Sequence, residues 1–198
     1  MAAASRRPRR LGGRGVSAAR NLGLAGSGGE FVAFLDHDDL WPAGRHQSLM
    51  KVLKQDASLD AVFGRLRLRF DSSASIKPEY IEMDGCHICS LVGTALYRRR
   101  LLAQVGGFDE DLKSSEDADL HVRLTEAGMR SRLSDVDALI YRRHAANMTN
   151  DLALMRQDRF VMMRRKLARA RARALTAPDT LNGQYCSQMA AQRGPLAS

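Results

Sequence analysis

Apolar residues fall along the chain in two rhythms, one of period near 3.6 and one of period 2, which predicts helices alternating with strands. The continuous run Phe31-Val32-Ala33-Phe34-Leu35 predicts a strand covered on both faces, as in a parallel sheet. Ahead of it, Ser17 is placed to cap a short helix through Ala25, ended by Gly26, Gly28 and Gly29. After it, Pro42 stands where a helix can start, and His46, Leu49, Met50 and Leu53 share one helical face. Residues 60–64 read as a short strand, and Arg65-Leu66-Arg67-Leu68-Arg69-Phe70 alternates strictly, giving one dry and one wet face as at a sheet edge. Residues 71–90 show weak periodicity and read as a loop. A strand over 93–97, a short helix over 98–105 and a turn at Gly106-Gly107 follow. The next helix, 116–127, carries Leu120, Leu124 and Ala127 at i, i+4 and i+7, with Gly128 placed to end it. Short strands over 130–135 and 138–143 and a long basic helix from Leu152 to Leu175 complete the pattern. With no internal repeat, the alternation predicts an α/β layer architecture.

Charge changes the picture only at the ends. The 198 residues carry a formal charge of +9. Residues 1–20 hold six arginines and no acid, and 142–173 hold ten basic residues against Asp151 and Asp158, whereas 21–141 hold 14 basic against 19 acidic residues. The acidic middle argues against a nucleic-acid partner for the folded part, and the basic ends suit a solvated helix face and a disordered start, or contact with acidic lipid headgroups or RNA. Residues 1–14 are small, basic and without periodicity, and read as disordered or as a start that is not native; the tail after 177 reads as loose. Three cysteines, two of them in Cys86-His87-Ile88-Cys89, make neither a disulfide framework nor a four-ligand zinc site, which favours a reducing compartment. No run approaches the roughly 18 apolar residues needed to span a bilayer.

Two acidic clusters carry the candidate chemistry. In Asp36-His37-Asp38-Asp39, directly after the apolar run, carboxylates at i and i+2 can project to the same side and hold a hard cation. Mg²⁺ or Mn²⁺ needs only one or two protein carboxylates when substrate phosphate and water fill the remaining positions. The alternative is an acidic turn complementing the helix start at Pro42. In Ser114-Ser115-Glu116-Asp117-Ala118-Asp119, the acids serve either as a helix-start complement or as a general base beside a bound substrate.

Three strings in fixed order decide more than the spacing. Gly15-Val16-Ser17-Ala18-Ala19-Arg20-Asn21, then Gly29 to Trp41 with its Asp36-His37-Asp38-Asp39 end, then Gly107-Phe108-Asp109-Glu110 with Glu116-Asp117-Ala118-Asp119-Leu120, resemble the centre of family 2 glycosyltransferases of the GT-A fold over about residues 15–150. The resemblance implies a GT-A-like, Rossmann-like mixed α/β sheet flanked by helices. It implies that Asp36 and Asp38 match the DxD motif that holds a divalent metal, Mg²⁺ or Mn²⁺, with Asp39 supporting. It makes Asp117 the catalytic base of an inverting transfer, with Glu116 as its supporting acid, and it sets Arg20 beside a nucleotide-sugar donor; Trp41 reads either as a residue lining the sugar pocket or as a core or turn aromatic. His144 falls where related enzymes offer a further metal or phosphate contact; a bland surface histidine beside Arg142 and Arg143 is the other reading.

The family's opening segments, a Pro-x-Tyr-Asn-like strand and a second strand ending Asp-Asp-Gly-Ser, do not occur here. The expected organisation is therefore a start over 1–14, an N-terminally incomplete GT-A domain over 15–150, a basic helix over 151–176 and a tail over 177–198. The acceptor would be a hydroxyl on a glycan, lipid or other molecule, and the location cytoplasmic or peripheral at the inner face of the membrane. Two other classes stay open: an inactive remnant or basic binding module, and a phosphohydrolase, whose Asp-x-Asp loop usually wants Gly and Thr where this chain has Asp39 and Leu40.

Overall fold

A computed structural model describes residues 15–74 and 78–174. The expectations for 1–14 and 177–198 lie outside these residues. The chain divides into two compact units, Met1–Met162 and Met163–Ser198. The elements below, up to the first half of the last helix, belong to the first unit.

In order they are α1 (Val16–Gly26), β1 (Phe31–Val32), α2 (Arg45–Gln55), β2 (Ala61–Phe70), α3 (Pro78–Met83), a 3-10 turn (Val92–Thr94), β3 (Ala95–Arg98), α4 (Arg99–Val105), α5 (Glu116–Glu126), β4 (Ser131–Arg143), a second 3-10 turn (Met148–Asn150) and α6 (Leu152–Ala174). The four strands form one mixed sheet in the order β1-β3-β2-β4. The β1–β3 and β3–β2 pairs are antiparallel, and β2–β4 is parallel.

Alternation along the central strands sorts side chains to two faces. Ala61 and Phe63 of β2 and Ala95 and Tyr97 of β3 join Leu101, Leu102, Phe108, Leu120 and Leu124 under α4 and α5. Val62 and Leu96 point to the other face and meet Leu49 and Leu53 of α2, with Leu59 and Ala138. The predicted helical stripes of α2 and α5 are therefore the ones that cover the sheet.

Several expectations from the pattern are corrected. The 31–35 run does pack on both faces, Val32 and Phe34 on one and Phe31 and Ala33 on the other. However, its ladder covers only Phe31 and Val32 and runs antiparallel, because β3 returns beside it. Residues 60–64 and 65–70 are not two strands with an edge; they form the single interior strand β2. It pairs with β4 along its length, and beyond β3 its other side donates the Leu66 N–H to the Cys86 carbonyl and the Leu68 N–H to the Asp84 carboxylate while the Leu66 carbonyl accepts the Gly85 N–H. The 71–90 loop contains α3. The strand expected over 93–97 opens with the 3-10 turn and becomes β3 only at Ala95. The strands expected over 130–135 and 138–143 are one strand, β4. Its register slips against β2 between Phe63 and Leu66, so β4 bulges there instead of breaking. Gly64 permits this: a Cβ on it would lie 2.5 Å from both the Ala138 Cβ and the Val136 carbonyl oxygen. Ser17 does not cap α1. Gly15 precedes the helix, and the Ser17 hydroxyl donates to the Leu112 carbonyl. Pro42 begins a turn that closes on Arg45, so α2 starts three residues later than the pattern suggests.

Arg45 is the least expected core residue, 1% exposed. Its Nε donates to the Ala138 carbonyl at the β4 bulge, and its Nη2 donates to Gly93 and Ala95, carbonyls around the 3-10 turn. Burial pushes its pKa down to about 10.

Candidate active site

The segment that follows β1 and the first turn of α5 bring the two acidic clusters together, and the residue that joins them is Arg20 on α1. Its Nη2 donates to both carboxylate oxygens of Asp36, at 2.7 and 2.9 Å. Its Nη1 donates to Glu116 Oε1 at 2.9 Å and to Asp117 Oδ1 at 2.5 Å. The guanidinium lies 5.2 Å from the Phe108 ring centroid. Burial by itself would lower the Arg20 pKa, but Asp117, Asp36 and Glu116 together raise it. A buried cation with three carboxylates around it is electrostatically compensated in a way an isolated one is not.

Asp117 sits in the first turn of α5 with Glu116 and Asp119. Its second oxygen accepts the Val92 N–H at 3.2 Å. Burial pushes its carboxyl above the usual range, against the lowering effect of Arg20, with Glu116 adding to the rise. The helix carrying it is braced from two sides. Asp158, 5% exposed on α6, accepts the N–H groups of Lys113 and Ser114 at 2.7 and 2.6 Å. Arg123 pairs with Asp119 at 2.7 Å and donates to the Val105 and Gly107 carbonyls.

The three acids of the first cluster part company, which modifies the four-residue metal set of the sequence. Asp36 turns to Arg20. Asp39 is buried and its Oδ1 accepts the Arg142 N–H at 2.9 Å; burial pushes its carboxyl up to about 6. Asp38 alone meets His144, with Oδ2 3.1 Å from Nε2. Among the described residues, no group of three or more His, Cys, Asp or Glu side chains converges to hold a metal. The chemistry of the remaining set nonetheless fits Mg²⁺ or Mn²⁺: Asp38 and His144 offer oxygen and nitrogen donors side by side, Asp36 flanks them in sequence, and a cation of this kind fills its other positions with water or phosphate. Trp41 is turned toward α2, its ring 4.7 Å from the Arg45 guanidinium and 4.4 Å from the His46 ring. A cleft of about 450 Å³ between α1 and residues 32–37 reaches Arg20 and Asp36.

Three residues of this arrangement carried no individual role in the sequence. Asn21 donates to the Phe108 carbonyl at 2.9 Å and accepts its N–H at 2.8 Å, pinning the Gly107-Phe108 loop. Gly107 fits beside it because its φ is +76° and a Cβ would stand 2.6 Å from Asn21 Oδ1. Asn147 approaches His144 Nε2 at 3.1 Å and accepts the His144 N–H, so it fixes the imidazole. Arg142 donates to Asp39 through its backbone and to the Asp38 carbonyl through its side chain. Only the Arg20-Asn21 adjacency offered a signal in the sequence; Asn147 and Arg142 act through contacts more than a hundred residues away from, or backbone turns near, the groups they hold.

The family model described as Glycosyl transferase family 2 matches residues 6–171, most of the chain. The chain belongs to glycosyltransferase family 2. Within the family it is similar to the pre-mycofactocin glycosyltransferase of Mycobacterium tuberculosis, at 30% identity over 155 residues, 71% of this chain and 32% of that protein. It is also similar to the uncharacterized glycosyltransferase EpsJ of Bacillus subtilis, at 27% identity over 152 residues, 68% of this chain and 44% of that protein. The chain therefore spans less than half the length of these family 2 relatives. Among solved structures it resembles the mannosyltransferase PcManGT from Pyrobaculum calidifontis in complex with GDP-Man and Mn²⁺, with a TM-score of 0.53, 20% identity and coverage of 85% of this chain and 46% of that one. It also resembles S. aureus TarS 1-349 in complex with UDP-GlcNAc, with a TM-score of 0.51, 20% identity and coverage of 69% and 41%. At this identity the two structures share the fold, the mixed α/β sheet of a GT-A glycosyltransferase.

Proposed function

We propose that this family 2 domain transfers a sugar from a nucleoside-diphosphate donor to an acceptor hydroxyl, with inversion, using Asp117 as general base and a divalent cation at Asp38, His144 and Asp36. The observation that carries this reading is the convergence at Arg20, which ties Asp36 of the first acidic cluster to Glu116 and Asp117 of the second. Two clusters that were separate motifs in the sequence become one site. The donor class draws support from the two solved structures of the same fold, which hold GDP-Man with Mn²⁺ and UDP-GlcNAc.

When bound, Mg²⁺ or Mn²⁺ would supply positive charge against the diphosphate leaving group. The remaining work falls to the chain itself. Asp117 takes the acceptor's proton as the hydroxyl oxygen bonds to the anomeric carbon and the bond to the diphosphate oxygen breaks, its electron pair leaving with the diphosphate. The raised pKa that burial gives Asp117 suits a base working near neutral pH. Arg20 and the Val92 N–H each take one lone pair of that carboxylate and fix its direction. Glu116 shares Arg20 and supports it. Arg20 also borders the donor cleft, and Asp39 holds the Arg142 backbone that precedes His144. The acceptor is a hydroxyl of a glycan, lipid or other molecule, and the compartment is the cytoplasm.

The test is donor turnover by the purified chain across a panel of nucleotide sugars, with and without Mn²⁺. Asp117→Asn is expected to lower kcat by about 10²- to 10⁴-fold with donor binding retained, as loss of a general base does. Asp38→Ala is expected to abolish the Mn²⁺ dependence of donor binding. Unchanged transfer in both variants sinks the assignment, and donor binding that never responds to Mn²⁺ removes the cation from it.

A further inference from the structure

α6 is a continuous helix from Leu152 to Ala174 with two features that the transfer chemistry does not use. The first is an exposed apolar stripe. Phe160 is 66% exposed, Met163 51% and Leu167 52%, and their i, i+3, i+7 spacing puts them on one helical face. The second is charge. The helix carries Arg156, Arg159, Arg164, Arg165, Lys166, Arg169, Arg171 and Arg173. At 100° per residue, Arg164 and Arg171 flank the stripe on one side, Arg159 and Lys166 flank it on the other, and Arg156 lies within it. The only acid of α6, Asp158, is buried and taken by the N–H groups of Lys113 and Ser114, so it does not neutralise this face.

We infer that this face of α6 seats the protein on an anionic lipid bilayer, with Phe160, Met163 and Leu167 entering the headgroup boundary and the flanking arginines and lysine reaching lipid phosphates. No helix among the described residues is long and apolar enough to cross a membrane, so the contact is peripheral. The charge is complementary to an anionic surface, and the apolar stripe selects among anionic partners. Nucleic acid would use the arginines but has no use for Met163 and Leu167, and a second copy of the same basic face would be repelled. Long basic side chains can lie along an apolar surface while their charged ends stay in water, which lets the two features act together.

The experiment is flotation of the full chain with vesicles of phosphatidylcholine alone or with about a third phosphatidylglycerol. It needs no sugar donor, so it succeeds or fails independently of the transfer reaction. Binding about tenfold greater to the anionic vesicles is expected, with loss in about 0.5 M salt, where screening shortens the reach of charge to about 4 Å. Arg164→Glu with Arg171→Glu is expected to weaken binding about tenfold or more. Phe160→Ser with Met163→Ser and Leu167→Ser is expected to do the same on vesicles while leaving retention on poly(U) unchanged, with circular dichroism showing the helix content retained. Replacing Arg6, Arg7, Arg9 and Arg10 by glutamine is expected to leave the serine-sensitive binding in place. Equal binding to neutral vesicles, indifference to the serine substitutions, loss of binding with the four glutamines alone, or tighter capture by poly(U) than by anionic vesicles would each overturn the proposal, the last pointing to a polyanion site.

Discussion

Asp56 shows how a local turn sets the properties of a single side chain. It follows α2, and its Oδ1 accepts both the Ser58 hydroxyl at 2.5 Å and the Ser58 N–H at 3.0 Å. These bonds hold its carboxyl below the usual range. A depressed folded pKa means that the unfolded chain binds the proton more readily, so the stabilisation is present above the ordinary value of about 4 and is lost as pH falls below it. Ser58→Ala is expected to raise the Asp56 pKa, read by NMR titration, and to shrink the difference in stability between about pH 5 and about pH 3. An unchanged titration would mean that the bonds to Ser58 do not set it. The same Asp-x-Ser spacing occurs once more, at Asp71-Ser72-Ser73, and there too the Asp71 Oδ1 accepts the serine hydroxyl and N–H, so this local pattern was legible in the sequence. At the same scale, Arg20 and Asn21 stood in the motif as neighbours and proved to have separate tasks. Arg20 gathers carboxylates and Asn21 pins a loop, because successive residues of a helix point about 100° apart.

Among the elements, the helices were the most legible. The stripes of α2 and α5 cover the sheet with the residues the 3.6 period selected, Leu49 and Leu53 from one and Leu120 and Leu124 from the other. Strands were less so. Period 2 reports which face a residue takes but not what it pairs with, and the direction of β1 depends on β3, which follows it by more than sixty residues. The break expected between 135 and 138 was a bulge, tolerated because β2 offers Gly64 opposite it. Gly64→Ala is expected to cost about 2–3 kcal/mol in denaturant unfolding, since the new methyl meets the Val136 backbone oxygen and an Ala138 methyl that cannot move alone. A loss below about 0.5 kcal/mol would show that β4 can shift its register without penalty.

Across the whole folded unit, the site depends on elements far apart in the chain being braced against each other. Asp158 ties the start of α6 to the turn that leads into Glu116 and Asp117. Asp158→Ala leaves the Lys113 and Ser114 amides without their acceptor. It is expected to destabilise the protein by about 2–4 kcal/mol, measured by thermal and denaturant unfolding. Asp158→Asn, which keeps one acceptor oxygen, is expected to recover most of that stability, and equal losses in both variants would trace the effect to charge and not to the two bonds. The sequence by itself determined the family, the helical stripes and the identity of the acids, because residue type, order and period are properties of the chain. Tertiary structure decided which acids work together: Asp36 and Asp117 share Arg20, Asp38 meets His144, and Asp39 turns away to the Arg142 backbone. Carboxylates two residues apart in one loop look equivalent until the fold surrounds each with its own partners. Those partners come from elements up to about a hundred residues away, whose approach no local spacing encodes.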